Sequence, residues 1–314
     1  MTKRDKVVIA LGGNAIQAGD GTAEAQQQAI RKTVTLIVEI IKLGYQVVIT
    51  HGNGPQVGNI LLQQTIAGTK GIPPMALDTC GAMSQGMIGY WMEKEIDDLL
   101  REQGIEKGVV SIVTRTEVDP NDPAFTNPTK PIGPFYTEEE AIAKMQQTGS
   151  TYVEDAGRGW RRVVPSPMPI DIIEHGIIGK LADSDQIVIC AGGGGIPVYK
   201  ENHKFIGVEA VIDKDFSSEK LAELIDADTL LILTGVDHVY IHYNQPNEEA
   251  LNYVSIEDLK KYIKQGYFAQ GSMLPKVEAG ITFAESKAGR TSIITSLDKA
   301  LEALLGEAGT VIKK

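Results

Sequence analysis

Val7-Val8-Ile9-Ala10-Leu11-Gly12-Gly13-Asn14-Ala15 is the stretch on which the fold turns. Apolar residues, several of them β-branched, run without a break into Gly-Gly-Asn. So short a run fits a fully buried strand better than a helix. In open parallel sheets, ligands bind at the C-terminal ends of the strands. Gly12, Gly13 and Asn14 would place bare backbone N–H groups at that edge. Taken alone, the same residues are equally a tight turn with no ligand.

The device recurs. Tyr45–Thr50 reads as a second strand and runs into His51-Gly52-Asn53-Gly54-Pro55-Gln56-Val57-Gly58, with Pro55 placed for the first turn of a helix to about residue 67. Gln186–Cys190 runs into Ala191-Gly192-Gly193-Gly194-Gly195-Ile196-Pro197. Between them, residues 22–44 set Ile30, Val34, Ile37, Ile40 and Ile41 on one helical face, with Gly44 at the C-cap. Further helices are expected at 77–102, 171–182, from Lys214 to about 225, at 255–264, from Lys276 to about 287, and at 297–305. Strands are expected at 109–113, 229–233 and 292–294, with a hairpin near 198–208 and a last edge strand at 310–312. Strands alternating with helices define an α/β protein with a mainly parallel sheet covered on both faces. Residues 119–169 interrupt this rhythm and hold eight of the 14 prolines, so they read as an inserted, protruding subdomain.

Composition narrows the function. The chain has 314 residues, 42% apolar and 23% charged, as in a soluble globular protein. A net charge of −11 argues against a general binder of nucleic acid or anionic membrane. It leaves room for a small anionic substrate, because screening over roughly 8 Å lets local lysines outweigh the global balance. Two cysteines, Cys80 and Cys190, make neither a disulfide framework nor a zinc site and fit a reducing cytoplasm. The charged N-terminus before Val7 reads as the lead into a strand and not as a signal peptide. No apolar run approaches a membrane span of roughly 20 residues.

Glycine-rich strand exits and helix N-termini together suit phosphate groups. No G-x-x-x-x-G-K-[ST] is present, and Val57 stands where a G-x-G-x-x-G would need glycine, so neither a P-loop nor a nicotinamide fingerprint is met. The lysines are more telling. Lys130 lies between prolines, Lys214 between Asp213 and Asp215 at a helix start, and Lys276 after Pro275 at another helix start. Phosphoryl transfer relies on positioning and charge neutralisation by such groups. A carboxylate flanking a lysine would keep the ammonium charged and aimed. His51 could contact an anion or make a structural hydrogen bond. His238 and His242 lie in a strand-like stretch whose spacing does not bring them together, and Tyr243 is by default a packing residue.

These stretches, with Asn127-Pro128-Thr129-Lys130-Pro131, Glu154-Asp155-Ala156-Gly157-Arg158-Gly159-Trp160-Arg161 and Gly271-Ser272-Met273-Leu274-Pro275-Lys276, resemble the carbamate kinases of the amino acid kinase family. The resemblance runs from residue 7 to about 312. It implies an open αβα sandwich that is one domain over residues 1–314. A lid at about 119–168 would be inserted in an N-terminal carbamate-binding half, with a nucleotide-binding half at about 185–314. It also implies a homodimer, and Mg²⁺-dependent transfer between ATP and carbamate to give ADP and carbamoyl phosphate. Run in reverse, that reaction makes ATP at the end of arginine fermentation. Motif by motif, Gly12, Gly13, Asn14, Gly52, Asn53 and Gly54 would hold carbamate and the γ-phosphoryl group. Lys130, Lys214 and Lys276 would neutralise the moving and leaving oxygens, with Asp215 orienting lysines. Gly193, Gly194, Asp213, Thr234, Asp237, Tyr243 and Met273 would border the nucleotide, which would carry the magnesium without a dedicated protein ligand set.

The chain departs from the wider family at one point. Many amino acid kinases carry lysine two residues before the Gly-Gly, where Ala10 stands here. Lys130, brought by a closing lid, is the natural substitute. Carbamate is already deprotonated, so no general base is needed. Alternative readings are a related kinase acting on N-acetylglutamate or UMP, and a nucleotide-binding regulator without turnover.

Overall fold

A computed structural model describes residues 4–16, 21–155 and 157–314, with the side chain of Asn14 also outside the described set. In chain order, β1 (Lys6–Leu11) leads through a 3₁₀ turn at Gly13–Ala15 to α1 (Ala23–Lys42), β2 (Gln46–His51), α2 (Gly54–Gly68), α3 (Leu77–Glu102) and β3 (Val109–Ser111). Then follow β4 (Arg115–Val118), β5 (Lys130–Tyr136), α4 (Glu138–Thr148), β6 (Thr151–Glu154), β7 (Trp160–Val164), β8 (Pro169–Ile172) and α5 (His175–Asp183). The chain continues as β9 (Ile187–Ile189), β10 (Ile196–Glu201), β11 (Lys204–Gly207), α6 (Lys214–Leu224), β12 (Thr229–Thr234), β13 (Val239–Ile241), β14 (Glu249–Leu251) and β15 (Tyr253–Val254). It ends with α7 (Ile256–Lys264), α8 (Met273–Ser286), β16 (Thr291–Ser296), α9 (Ala300–Leu304) and β17 (Thr310–Lys313).

The main sheet has the order β15-β17-β16-β12-β1-β2-β9-β3. Its pairs are parallel except β16 with β17. The opening stretch therefore forms a central strand, β1, between β2 and β12. Val7, Val8, Ile9, Ala10 and Leu11 have no exposed surface. Burying each large side chain contributes about 1.5–3 kcal/mol, which is why no polar residue interrupts the run. Val8 and Ala10 pack into one core layer and Val7, Ile9 and Leu11 into the other, as strand alternation requires. Helix α1 caps its N-terminus with Thr22, whose hydroxyl accepts from the Ala25 N–H, and Gly44 follows the helix at φ +92°.

Some sequence expectations need correction. Asp171 and Ile172, expected to open a helix, end β8, which pairs antiparallel with β4. The last strand is not an edge: β15, only two residues long and so without a readable pattern, lies outside β17. β9 sits between β2 and β3, on the far side of β1 from β12. Smaller sheets, β11-β10-β4-β8 and β13-β14, flank the main one.

Within the proline-rich segment, β5, β7 and β6 form an antiparallel sheet with α4 beside it. Pro131 and Pro134 are tolerated because β5 is an edge strand bonded only to β7, with a register shift between Ile132 and Tyr136. Its other flank meets α2, where a Cβ on Gly58 would strike the backbone of Gly133, itself at φ +74°. A small core of Val57, Ile60, Leu77, Cys80, Ile132 and Val164 seals that junction.

Candidate active site

The C-terminal ends of β1 and β12 and the N-termini of α6 and α8 converge on one cavity of about 180 Å³. Gly12, Gly13, Ala15, Lys214, Leu233, Thr234, Gly235, Lys276 and Leu297 line it. A Cβ at Gly12 would lie 2.9 Å from the Leu233 carbonyl oxygen, so glycine is what lets the first turn approach the end of β12. The second turn is tied to the first by the Gly52 N–H, which donates to the Leu11 carbonyl at 3.1 Å. The stem of Lys214 passes Gly52, 3.5 Å from where a Cβ would stand. Asn53 is buried, and its amide Nδ2 donates to Ser84 Oγ at 2.8 Å.

Asp215 organises the charge. Lys214 Nζ lies 2.5 Å from its Oδ1 and Lys276 Nζ 2.8 Å from its Oδ2, with only 3% of the Asp215 side chain exposed. Burial opposes ionisation of this carboxyl, but the two ammonium groups win and hold it at about 2. Burial also pushes the Lys214 ammonium below the usual lysine range, with Lys276 adding to the effect and Asp215 opposing it. Two cations are thereby held at two helix N-termini, where backbone N–H groups also face outward. That is a site for an anion with several oxygens.

Asp213 has a different place from the one expected of it. Its Oδ1 accepts from the Asp215 N–H at 2.9 Å, capping α6, and its Oδ2 takes Lys130 Nζ at 2.6 Å. Lys130, the first residue of β5, is thus docked at the cap of α6, next to the Asp215 cluster but not in the cavity wall. Each carboxylate oxygen of Asp213 and Asp215 accepts from a lysine or a backbone N–H, and no group of three His, Cys, Asp or Glu among the described residues could hold a metal.

A second cavity, of about 350 Å³, adjoins the first through Thr234 and Gly235. Val236, Tyr240, Tyr243, Tyr267, Phe268, Ala269, Ser272 and Met273 complete its wall. Its flat aromatic lining suits a planar heterocycle. Thr234, Tyr243 and Met273 meet here as expected. Asp237 does not line it, and the Asp237 carbonyl instead accepts from Thr295 Oγ1 at 3.0 Å. Tyr240 lies in β13 while Tyr267 and Phe268 lie between α7 and α8, and with no shared period linking them they escaped the sequence reading. The Tyr-Phe pair just after Gly266 was the available signal.

The third glycine turn is also placed differently. Gly193 packs on the Asn53 side chain, Gly194 on the Ile212 carbonyl and Gly192 on the His51 ring, away from the aromatic cavity. Gly193 and Gly194 therefore pack behind Asn53 and against Ile212. His51 Nδ1 donates to the Gly52 carbonyl at 2.8 Å. Burial lowers the His51 pKa to about 4, so the imidazole is neutral near pH 7 and its role is structural.

Two adjoining cavities, the first of them lined by Lys214 and Lys276, define a phosphate-handling enzyme of α/β type. The model of the amino acid kinase family matches residues 5–296, and the chain belongs to that family. It is 56% identical over 310 residues to carbamate kinase 2 of Staphylococcus aureus, covering 98% of this chain and 99% of that one. The carbamate kinase of Giardia lamblia solved with AMP-PNP superposes with a TM-score of 0.93 at 47% identity over the whole of both chains. UMP kinase of Ureaplasma parvum superposes at only 0.54 with 16% identity, a likeness of fold alone.

Proposed function

We propose that this chain is a carbamate kinase, catalysing reversible phosphoryl transfer between ATP and carbamate. The observation that carries the reading is Asp215 holding Lys214 and Lys276 in the wall of a glycine-lined cavity that adjoins an aromatic one. The adenine of ATP/ADP would occupy the aromatic cavity and the phosphates would run past Thr234 and Gly235 to the lysines. Gly12, Gly13, Gly52, Asn53 and Gly54 would hold carbamate against the γ-phosphoryl group.

In the forward direction a carbamate oxygen attacks the γ-phosphorus. The bond from that phosphorus to the β–γ bridging oxygen breaks, and its electron pair stays on ADP. Lys214 and Lys276 neutralise charge on the transferred group and the leaving oxygen. Carbamate carries an oxygen that is already deprotonated, so the transfer needs no general base. Mg²⁺ would ride on the nucleotide phosphates, supplying further charge neutralisation, since the oxygens of Asp213 and Asp215 are engaged by lysines or a backbone N–H.

Lys130 would act from the small sheet as a lid cation, exchanging Asp213 for the substrate. A homodimer is supported by the exposed apolar side chains Ile66, Ile72, Met75, Met83 and Tyr90 on and between α2 and α3. A cytoplasmic setting, with neither nucleic acid nor membrane as partner, accords with the charge of −11 and two free cysteines. The test is acceptor choice: with MgATP, turnover on carbamate should exceed turnover on N-acetylglutamate and UMP by orders of magnitude. Equal or better turnover on either alternative would overturn the assignment.

A further inference from the structure

A third cavity, of about 370 Å³, lies between α2 and the small sheet and shares no lining residue with the other two. Strand register builds one wall: Ile132 stands opposite Arg162 on β7, and Arg162 opposite Tyr152 on β6, so the three side chains share a face. Leu61, Leu62 and Ile66 of α2 supply apolar surface across from them, and Lys144 of α4 closes a side. Its volume falls in the range of small-molecule sites, roughly 300–1,000 Å³.

The charge there runs against that of the chain. Net charge is −11, yet Lys144 and Arg162 line this cavity and no Asp or Glu does. Arg162 Nε is buried with no hydrogen-bond partner among the described residues, while its Nη2 reaches out to Glu209 at 3.3 Å. Leaving such a donor unpaired is costly. Lys144 Nζ rests 4.7 Å from the centre of the Tyr136 ring and not on a carboxylate. The nearby Glu140 is committed to the capping box of α4 with Thr137.

We propose that this cavity binds a small amphiphilic organic anion, its carboxylate or sulfonate between Arg162 and Lys144 and its apolar body against Leu61, Leu62 and Ile132. Such a ligand touches both α2, which starts at the second glycine turn, and β5, which starts at Lys130. It would therefore brace the small sheet against α2. Binding itself does not depend on the phosphotransfer reading.

The probe is 8-anilinonaphthalene-1-sulfonate, titrated by fluorescence into the full chain with and without saturating ADP. Saturable binding that persists under ADP is expected. The double variant Lys144→Gln/Arg162→Gln should weaken it about tenfold or more, the loss of charge-assisted contacts. N-phenyl-1-naphthylamine, which lacks the sulfonate, should bind weakly to the wild type. Thr65→Trp, which fills the cavity from an exposed position on α2 and leaves both cations in place, should also abolish binding. Unchanged binding in both variants, full displacement by ADP, or equal binding of the uncharged analogue would overturn the proposal.

Discussion

Asp215 separates two ammonium groups that would otherwise repel each other in a buried place. In Asp215→Asn the lysines keep their positions but lose the negative charge between them. We expect kcat to fall about 10²–10³-fold, the scale seen when a preorganised electrostatic group is removed. A coupled assay for ATP checks this, and a loss below tenfold would contradict the role. Glu219, one helical turn further along α6, is also buried, with Oε1 unpaired. Burial raises its pKa to about 7; Glu223 adds to the rise, while Lys220 and Arg290 oppose it. The native state therefore holds this proton between about pH 4.5 and 7 while the unfolded state releases it. Stability from the protonated form is complete below the unfolded value and is lost as pH rises through the folded one, a change on the order of 3 kcal/mol. Glu219→Gln should accordingly raise the melting temperature at pH 8 more than at pH 5. An equal effect at both pH values would show that Glu219 is not protonated in the fold.

At the scale of elements, the small sheet carries Lys130 and α6 carries Asp213, and the 2.6 Å ion pair between them joins the two. Lys130→Ala removes the cation proposed to stand in for the missing lysine at Ala10. Turnover should drop by at least about 10²-fold with ADP affinity changed less than about threefold, since the side chain is remote from the aromatic cavity. Equal losses of kcat and ADP affinity, measured by steady-state kinetics and calorimetry, would count against a lid cation. The same elements show what the sequence discloses. β1 and β2 were legible because the apolar runs Val7–Leu11 and Val47–Ile49 are buried on both faces and each leads into a glycine turn. Lys214, Asp215 and Lys276 were legible because a lysine at a helix start runs against the helix dipole and needs a reason. β5 was not, because its prolines mimic a loop and only its edge position excuses them. The contacts of Gly193 and Asp213 were not legible because their partners, Asn53 and Lys130, are far away in the chain.

For the whole molecule, the exposed apolar surface on α2 and α3 sits away from both active-site cavities and is available for a second copy. Met83 and Tyr90, two turns apart on α3, are 44% and 61% exposed. Met83→Glu/Tyr90→Glu should convert a dimer into a monomer in sedimentation velocity, with the far-ultraviolet circular dichroism unchanged. A wild-type chain that sediments as a monomer, or a double variant that remains a dimer, would contradict that interface. The paired cavities, the Asp215 cluster and the docked small sheet together form one apparatus, whose product should be a transferred phosphoryl group. The most direct measurement supplies the purified chain with carbamoyl phosphate, ADP and Mg²⁺ and follows ATP through a hexokinase-coupled assay. ATP formation that saturates in both substrates and collapses in Asp215→Asn is the expected result. No ATP from carbamoyl phosphate, in a chain that still binds ADP, would contradict the account.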